Sequence, residues 1–343
     1  MADDFKYHID HHSTLIRPAE LGGGAEGLDE AIRAAVRAQR RLGLAAIGDG
    51  QFRRRNSLAP YYDQIEGFGV EADARGGVAE LVGPLLAPEF RPLVGSPKAR
   101  GRLVQDETAF LAGAIQRPLL VALPAPGFVA ELSGANDADA AALAAIAHDE
   151  IEALAADGVA YVQLHNPLAG ILVTRAGRER AKELGLEPDA ILARLRAVDA
   201  KAIAGLDVPA DFRVGLDLTT SGAGYVNQGY DTEAIAALLA GGPFARVHVE
   251  YPADEAGRFP LAELAPGTVV SLGVVDLSTT EPEDVDELVA RVDQAARIVD
   301  IDDIAISTNG GFAAAPAAFT EAEQHAKLQL VEMTARYFWG NEL

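Results

Sequence analysis

The 343-residue chain contains no cysteine, so disulfides, thiolate metal ligands and a cysteine nucleophile are all excluded. Positive charge is scarce: 29 Lys and Arg stand against 51 Asp and Glu, a net charge of −22. That balance excludes sequence-independent nucleic-acid binding, which needs Lys and Arg to displace phosphate counterions. It also excludes docking on an anionic membrane surface. No stretch approaches the ~18 consecutive apolar residues of a membrane span. The opening "MADDFKYHIDHH" has no apolar signal-peptide core, so the cytoplasm is the expected compartment. P-loop, G-x-S-x-G and H-E-x-x-H signatures are missing too.

What is present is a steady alternation of apolar runs and helical patterns. Strands are expected at 13–18, 44–52, 118–126, 159–165, 213–218, 245–251, 269–277 and 304–312. Between them, apolar residues recur at helical intervals, as in Val285, Leu288, Val289, Val292, Ala296 and Val299. Eight strand–helix units predict an α/β fold, a (β/α)8 TIM barrel forming a single domain, 1–343. A doubly wound sheet is the competing reading. Residues 63–104 fit neither pattern and read as an insertion, with a hairpin as one form, after the second strand. The glycine-rich "GGGAEG" at 22–27 reads as a loop before a helix, since no good strand precedes it.

Barrels of this type build their sites where the strands end. Polar residues gather there: His11, His12, Ser13 and Thr14 at the first strand, Asp49 and Gln51 at the second, His165 and Asn166 at the fourth. Asp217 and Thr219 follow at the fifth, His248 and Glu250 at the sixth, Asp276 at the seventh, and Ser307, Thr308 and Asn309 at the eighth. His248 and Glu250, two apart, share a strand face, and an acid inside a barrel needs a metal, a cation or a hydrogen-bonded ligand. Arg53, Arg54 and Arg55 form a local basic run suited to a carboxylate or phosphate, or else a solvated face.

Several stretches, in order, resemble the catalytic domain of cobalamin-independent methionine synthases in its short form. "DHHSTLIRPAEL" resembles the family's D-H-(I/V)-G-S-L-L-R-P opening, "GDGQFRR" its T-D-G-E-F-R-R, and "DGVAYVQLHNP" its G-x-x-x-I-Q-L-D-E-P. "HVEYPADEAGRFPLAEL" is similar to L-E-Y-D-x-x-x-A-G-x-F-x-x-L, and "IAISTNGGF" to the last strand. The resemblance implies a barrel, a zinc-activated thiol substrate and a folate methyl donor. It also implies zinc ligands, and carried over residue by residue these fall on Asp217 and Thr219 (His and Cys in the family), Glu250 (retained) and Gly310 (Cys in the family). The substrate-amine acid falls on His165, and the serine of the opening on Thr14.

These departures set the expectations. Asp217, Glu250 and His165 are the candidate catalytic residues, and the same three are the candidate ligands for zinc or another divalent metal in an oxygen–nitrogen site. Without a metal, the paired carboxylates beside His165 become an acid–base site. His12, Thr14, Asp49, Gln51, Asn166, Thr219 and Asn309 are the candidate substrate-binding residues. The expected partner is a small polar molecule, with no nucleic acid and no membrane. The reading is a methyl- or alkyl-transferase type of enzyme with an altered centre; lyase or hydrolase chemistry and a non-catalytic binding barrel are the alternatives.

Overall fold

The computed structural model describes residues 8–18, 21, 25–70, 77–83, 90–114, 118–242 and 244–340. Eight regular strands are defined among them. The first two, β1 (Ile65–Phe68) and β2 (Leu93–Ala99), pair antiparallel within residues 63–104, with the helix Gly77–Val82 between them in sequence rather than a tight hairpin turn. The other six form one parallel sheet in sequential order: β3 (Leu119–Pro124), β4 (Val159–His165), β5 (Arg213–Asp217), β6 (Arg246–Glu250), β7 (Val269–Val275) and β8 (Ile304–Thr308). These six are buried almost throughout, as expected of parallel strands covered on both faces. Each coincides with an apolar run read from the sequence.

The remaining two units are present only as single bridges. Ile9 pairs in parallel with Ile306 of β8, and Ile47 pairs in parallel with Leu119 of β3. Both expected strands, 13–18 and 44–52, are therefore corrected to irregular segments. The cause is local. Ser13 and Gln51 adopt left-handed φ of 60°, and Gly50 has φ 76°, so neither segment can hold an extended ladder. The two segments meet through side-chain and loop bonds: His11 Nε2 donates to the Ala46 carbonyl at 2.9 Å, and Leu15 N to the Gly50 carbonyl at 3.2 Å. The result is the eight-unit α/β barrel order, two units being pinned rather than woven in.

Helices follow the strands with ordinary signals. Asn136 caps the helix Asp137–Ala156 by accepting from two backbone N–H groups, and Thr320 with Glu323 forms a capping box at Glu321–Trp339. No described helix is long and apolar enough to cross a membrane.

Polar side chains fill the interior below the rim. Arg246 Nη1 donates to Asp10 Oδ2 at 2.7 Å, and the Tyr161 hydroxyl donates to His248 Nε2. Burial, only partly opposed by Asp10 and Asp217, lowers His248 to about 4, so its ring is neutral near pH 7. His248 is a core histidine, completely buried.

Candidate functional site

A cavity of about 500 Å³ opens at the C-terminal ends of the parallel strands. Its floor is formed by Ala122, Leu123 and Pro124 of β3, His165 of β4 and Asp217 of β5. The irregular first and second segments supply His12, Thr14 and Gln51, and the loop after β5 supplies Ser221. Phe52, Phe128, Phe312 and Phe319 make the apolar walls. A larger open groove of about 590 Å³ between Tyr251, Arg258 and Ile298 contains none of the site residues expected from the sequence.

At the centre lies a buried ion pair. His12 Nδ1 donates to Asp217 Oδ2 at 2.7 Å, and His12 Nε2 donates to the Thr308 carbonyl at 2.9 Å. Burial would raise the Asp217 carboxyl, but the rings of His12 and then His165 outweigh it and hold the group well below the usual carboxylate range. Burial likewise opposes charge on His12, and Asp217 outweighs it, raising the ring above its ordinary value. A carbonyl and an ionised carboxylate can only accept, so both ring nitrogens carry hydrogens and His12 is an imidazolium. Thr219 completes the pair: its N–H and its hydroxyl donate to Asp217 Oδ1 at 2.9 and 2.7 Å.

His165 is half-buried, and its Nε2–H donates to the Thr219 carbonyl at 3.1 Å. That bond occupies Nε2, and the ring lines the cavity wall. Three positive-φ residues other than glycine are described, Ser13, Gln51 and Ser221; Gln51 and Ser221 line the cavity, and Ser13 sits between His12 and Thr14, which do. Backbone strain is thus concentrated at the site.

The other expected residues are placed differently. Glu250 does not line the cavity; its Oε1 accepts from the Thr220 N–H at 2.7 Å and the Thr220 hydroxyl at 2.5 Å. Burial raises it to about 7, against those two bonds and with Asp276 and Asp217 adding repulsion. Asn166 caps the helix Pro167–Leu172 and donates to Asp199 Oδ2 at 2.7 Å. Asn309 holds the Leu277 N–H at 2.9 Å and donates to Asp276 Oδ1 at 2.9 Å. Asp49 is buried behind Gln51, whose N–H it accepts at 2.7 Å, with Oδ2 unpartnered. Thr219 serves Asp217. Of the ten expected site residues, His12, Thr14, Gln51, His165 and Asp217 share the cavity wall.

The arginine run is engaged in ion pairs. Arg53 pairs with Asp29 at 2.6 Å, Arg54 makes a buried fork to Glu107 at 2.7 and 2.8 Å, and Arg55 pairs with Asp63 at 2.7 Å. Sequence reasoning missed Ser221, Thr220 and the four phenylalanines. Their only sequence signal was proximity to strand ends.

The expected divalent metal does not fit these residues. Among the described residues no group of three or more His, Asp or Glu is arranged to hold a metal ion. Both oxygens of Asp217 are taken by His12 and Thr219, and one oxygen of Glu250 by Thr220. At Gly310, the position of the resembled family's last cysteine, an added Cβ would lie 2.5 Å from Ser221 Cα and 2.7 Å from Ser221 N.

No protein-family profile matches the chain. Two Bacillus subtilis proteins described as uncharacterized align with it: YxjH, 29% identical over 191 residues (53% of this chain, 49% of that one), and YxjG, 28% identical over 198 residues (55% and 51%). The alignment thus spans about half the length of these curated relatives. Among solved structures, a putative vitamin-B12-independent methionine synthase from Listeria monocytogenes superposes with a TM-score of 0.74 at 20% identity, covering 98% of both chains. A B12-independent methionine synthase from a Shewanella species, in complex with selenomethionine, gives a TM-score of 0.74 at 17% identity, covering 96% and 97%. A methyltransferase from Methanosarcina mazei is more distant, with a TM-score of 0.51 at 12% identity over 91% and 86%. The resemblance carried by the sequence motifs holds in three dimensions: the chain has the fold of the vitamin-B12-independent methionine synthases.

Proposed function

We propose that this barrel is a transferase-type enzyme that binds a small polar substrate in the rim cavity and works on it by acid–base chemistry. The observation that carries the reading is His165, whose ring lines the cavity beside Asp217 with Nε2 bonded to the Thr219 carbonyl at 3.1 Å; Nδ1 is the nitrogen to which we assign the role of base. A group on the substrate bearing a proton, once seated between the phenylalanine walls, gives that proton to Nδ1 and becomes nucleophilic. The imidazolium of His12 keeps Asp217 ionised next to it, so the floor of the cavity has a fixed polarity when the proton moves. Thr14 and Gln51 orient the substrate. Thr14 Oγ1 supports that role, being buried on the wall with no partner.

Thiolate ligands make zinc suited to handing over a thiol, and this centre has none. The parental reaction, methyl transfer to homocysteine, is therefore not the one expected. Transfer of an alkyl group to or from another small molecule fits the fold; lyase or hydrolase chemistry uses the same base. The cytoplasm is the proposed compartment.

The test is a panel of small amino acids, thioethers and methyl donors, scored first by ligand-induced rise in Tm and then by mass spectrometry for conversion. The His165→Gln variant should lose on the order of 100-fold in kcat while KM stays within a few-fold. Equal turnover by the variant would remove His165 from the mechanism. Tight binding without conversion by the wild type would identify a binding barrel instead.

A further inference from the structure

We infer that this centre is metal-independent, the contact between His12 and Asp217 filling the place where the resembled family would hold a divalent metal. Three independent features of the structure carry this, and none depends on which reaction the cavity supports.

The first is an exchange of residue types between two strands. In the family opening that "DHHSTLIRP" resembles, the position of His12 is aliphatic, and in its fifth-strand motif the position of Asp217 is histidine. Here the imidazole is on the first segment and the acid on β5, and the two are in contact at 2.7 Å. The position that matches the resembled family's histidine ligand therefore carries an acid that contacts an imidazole. Neither change alone makes sense in a buried setting, because either would leave one charge unpaired.

The second is the coordination capacity that remains. Asp217 Oδ2 faces His12, and Oδ1 takes two donors from Thr219. Glu250 takes two from Thr220 on one oxygen, and the Nε2 of His165 is bound to a carbonyl. A metal bound through both oxygens of Asp217 and Oε1 of Glu250 would have to displace five hydrogen bonds.

The third is steric. The place a side chain at 310 would fill is held by the backbone of Ser221, with Gly310 at φ 151° and Ser221 itself at φ 54°. The loop after β5 has closed over the former ligand position. Restoring a sulfur there would require that loop to move.

Two measurements test the inference. Protein purified without chelator, analysed by inductively coupled plasma mass spectrometry, should hold well under one equivalent of zinc, manganese or iron. EDTA and added zinc chloride should leave Tm unchanged. Any residual metal should lie away from Asp217 in anomalous scattering maps. About one equivalent of metal with an anomalous peak between Asp217 and Glu250 would overturn the proposal. The second measurement uses His12→Ala, which vacates a site open to the cavity. Its Tm should fall, and millimolar imidazole should recover part of the loss, while zinc chloride should not. Recovery by zinc and not by imidazole would likewise overturn it. Should the variant fail to fold, the wild-type metal content and anomalous maps decide the matter alone.

Discussion

Replacing Gly310 by alanine probes the closed-over loop directly. Gly310 has φ 151°, a region that side chains rarely occupy, and forcing an L-residue there costs about 1–3 kcal/mol. The added Cβ would stand 2.5 Å from Ser221 Cα and 2.7 Å from Ser221 N. Carbon atoms in contact sit about 3.5–4.0 Å apart, so the loop must retreat by about 1 Å. Overpacking of that kind adds about 1–3 kcal/mol, for a total of about 2–6 kcal/mol. In a chain of this length each kcal/mol lowers Tm by about 2 °C, so a fall of about 4–12 °C is expected. The control is Gly185→Ala: its φ is 72°, yet nothing lies within 4 Å of the added Cβ, so only backbone strain applies. Thermal unfolding followed by circular dichroism separates the two. The contact between Gly310 and Ser221 would be refuted if both variants lost the same amount of Tm.

Further outcomes follow from the other site residues. His12→Val leaves Asp217 buried without its cation and should cost about 3–5 kcal/mol, whereas His12→Val with Asp217→Asn should recover a large part of it in a double-mutant cycle. Asp49 is raised from 3.8 to about 7 by burial and by Glu107, against Arg54. The folded state therefore holds a proton that the unfolded chain releases, so this group's contribution is complete below about 3.8 and is lost as pH rises toward about 7. Asp49→Asn should accordingly flatten the fall in stability between pH 4 and pH 7, measured by urea unfolding across that range; an unchanged pH profile would show that Asp49 is ionised throughout. Incubation with homocysteine and methyltetrahydrofolate should yield no methionine by mass spectrometry, and robust methionine formation would show that the altered centre retains the parental reaction.

The six ladder strands were legible because each is a short, mostly apolar run, buried along nearly its whole length. The first two units were not. The bridge at Ile9 lies in "HIDHH", where Asp10, His11 and His12 are buried polar residues, so the segment does not look like a strand. Asp10 reads as a surface acid until Arg246 is placed against it. At the rim, polarity marked the right end of the barrel but did not separate side chains that face the cavity from those that hold loops. Asn166 and Asn309 carry the same signal as His165 and are bound to helix and loop backbone instead. The place of Asp217 at a strand end was legible, but its partner was not. His12 is 205 residues away, and only the fold brings the two together.

The early segment has nearly all its partners far downstream. His8 Nδ1 bonds the Ile304 carbonyl 296 residues on, Asp10 meets Arg246 after 236, and Ile16 N reaches Gln324 after 308. During synthesis this stretch emerges long before these partners. It must wait, unsatisfied and charged, until the eighth strand and final helix leave the ribosome. The cavity wall is thus completed by the last portions of the chain to appear, which supply Phe312, Phe319 and the Thr308 carbonyl that His12 bonds.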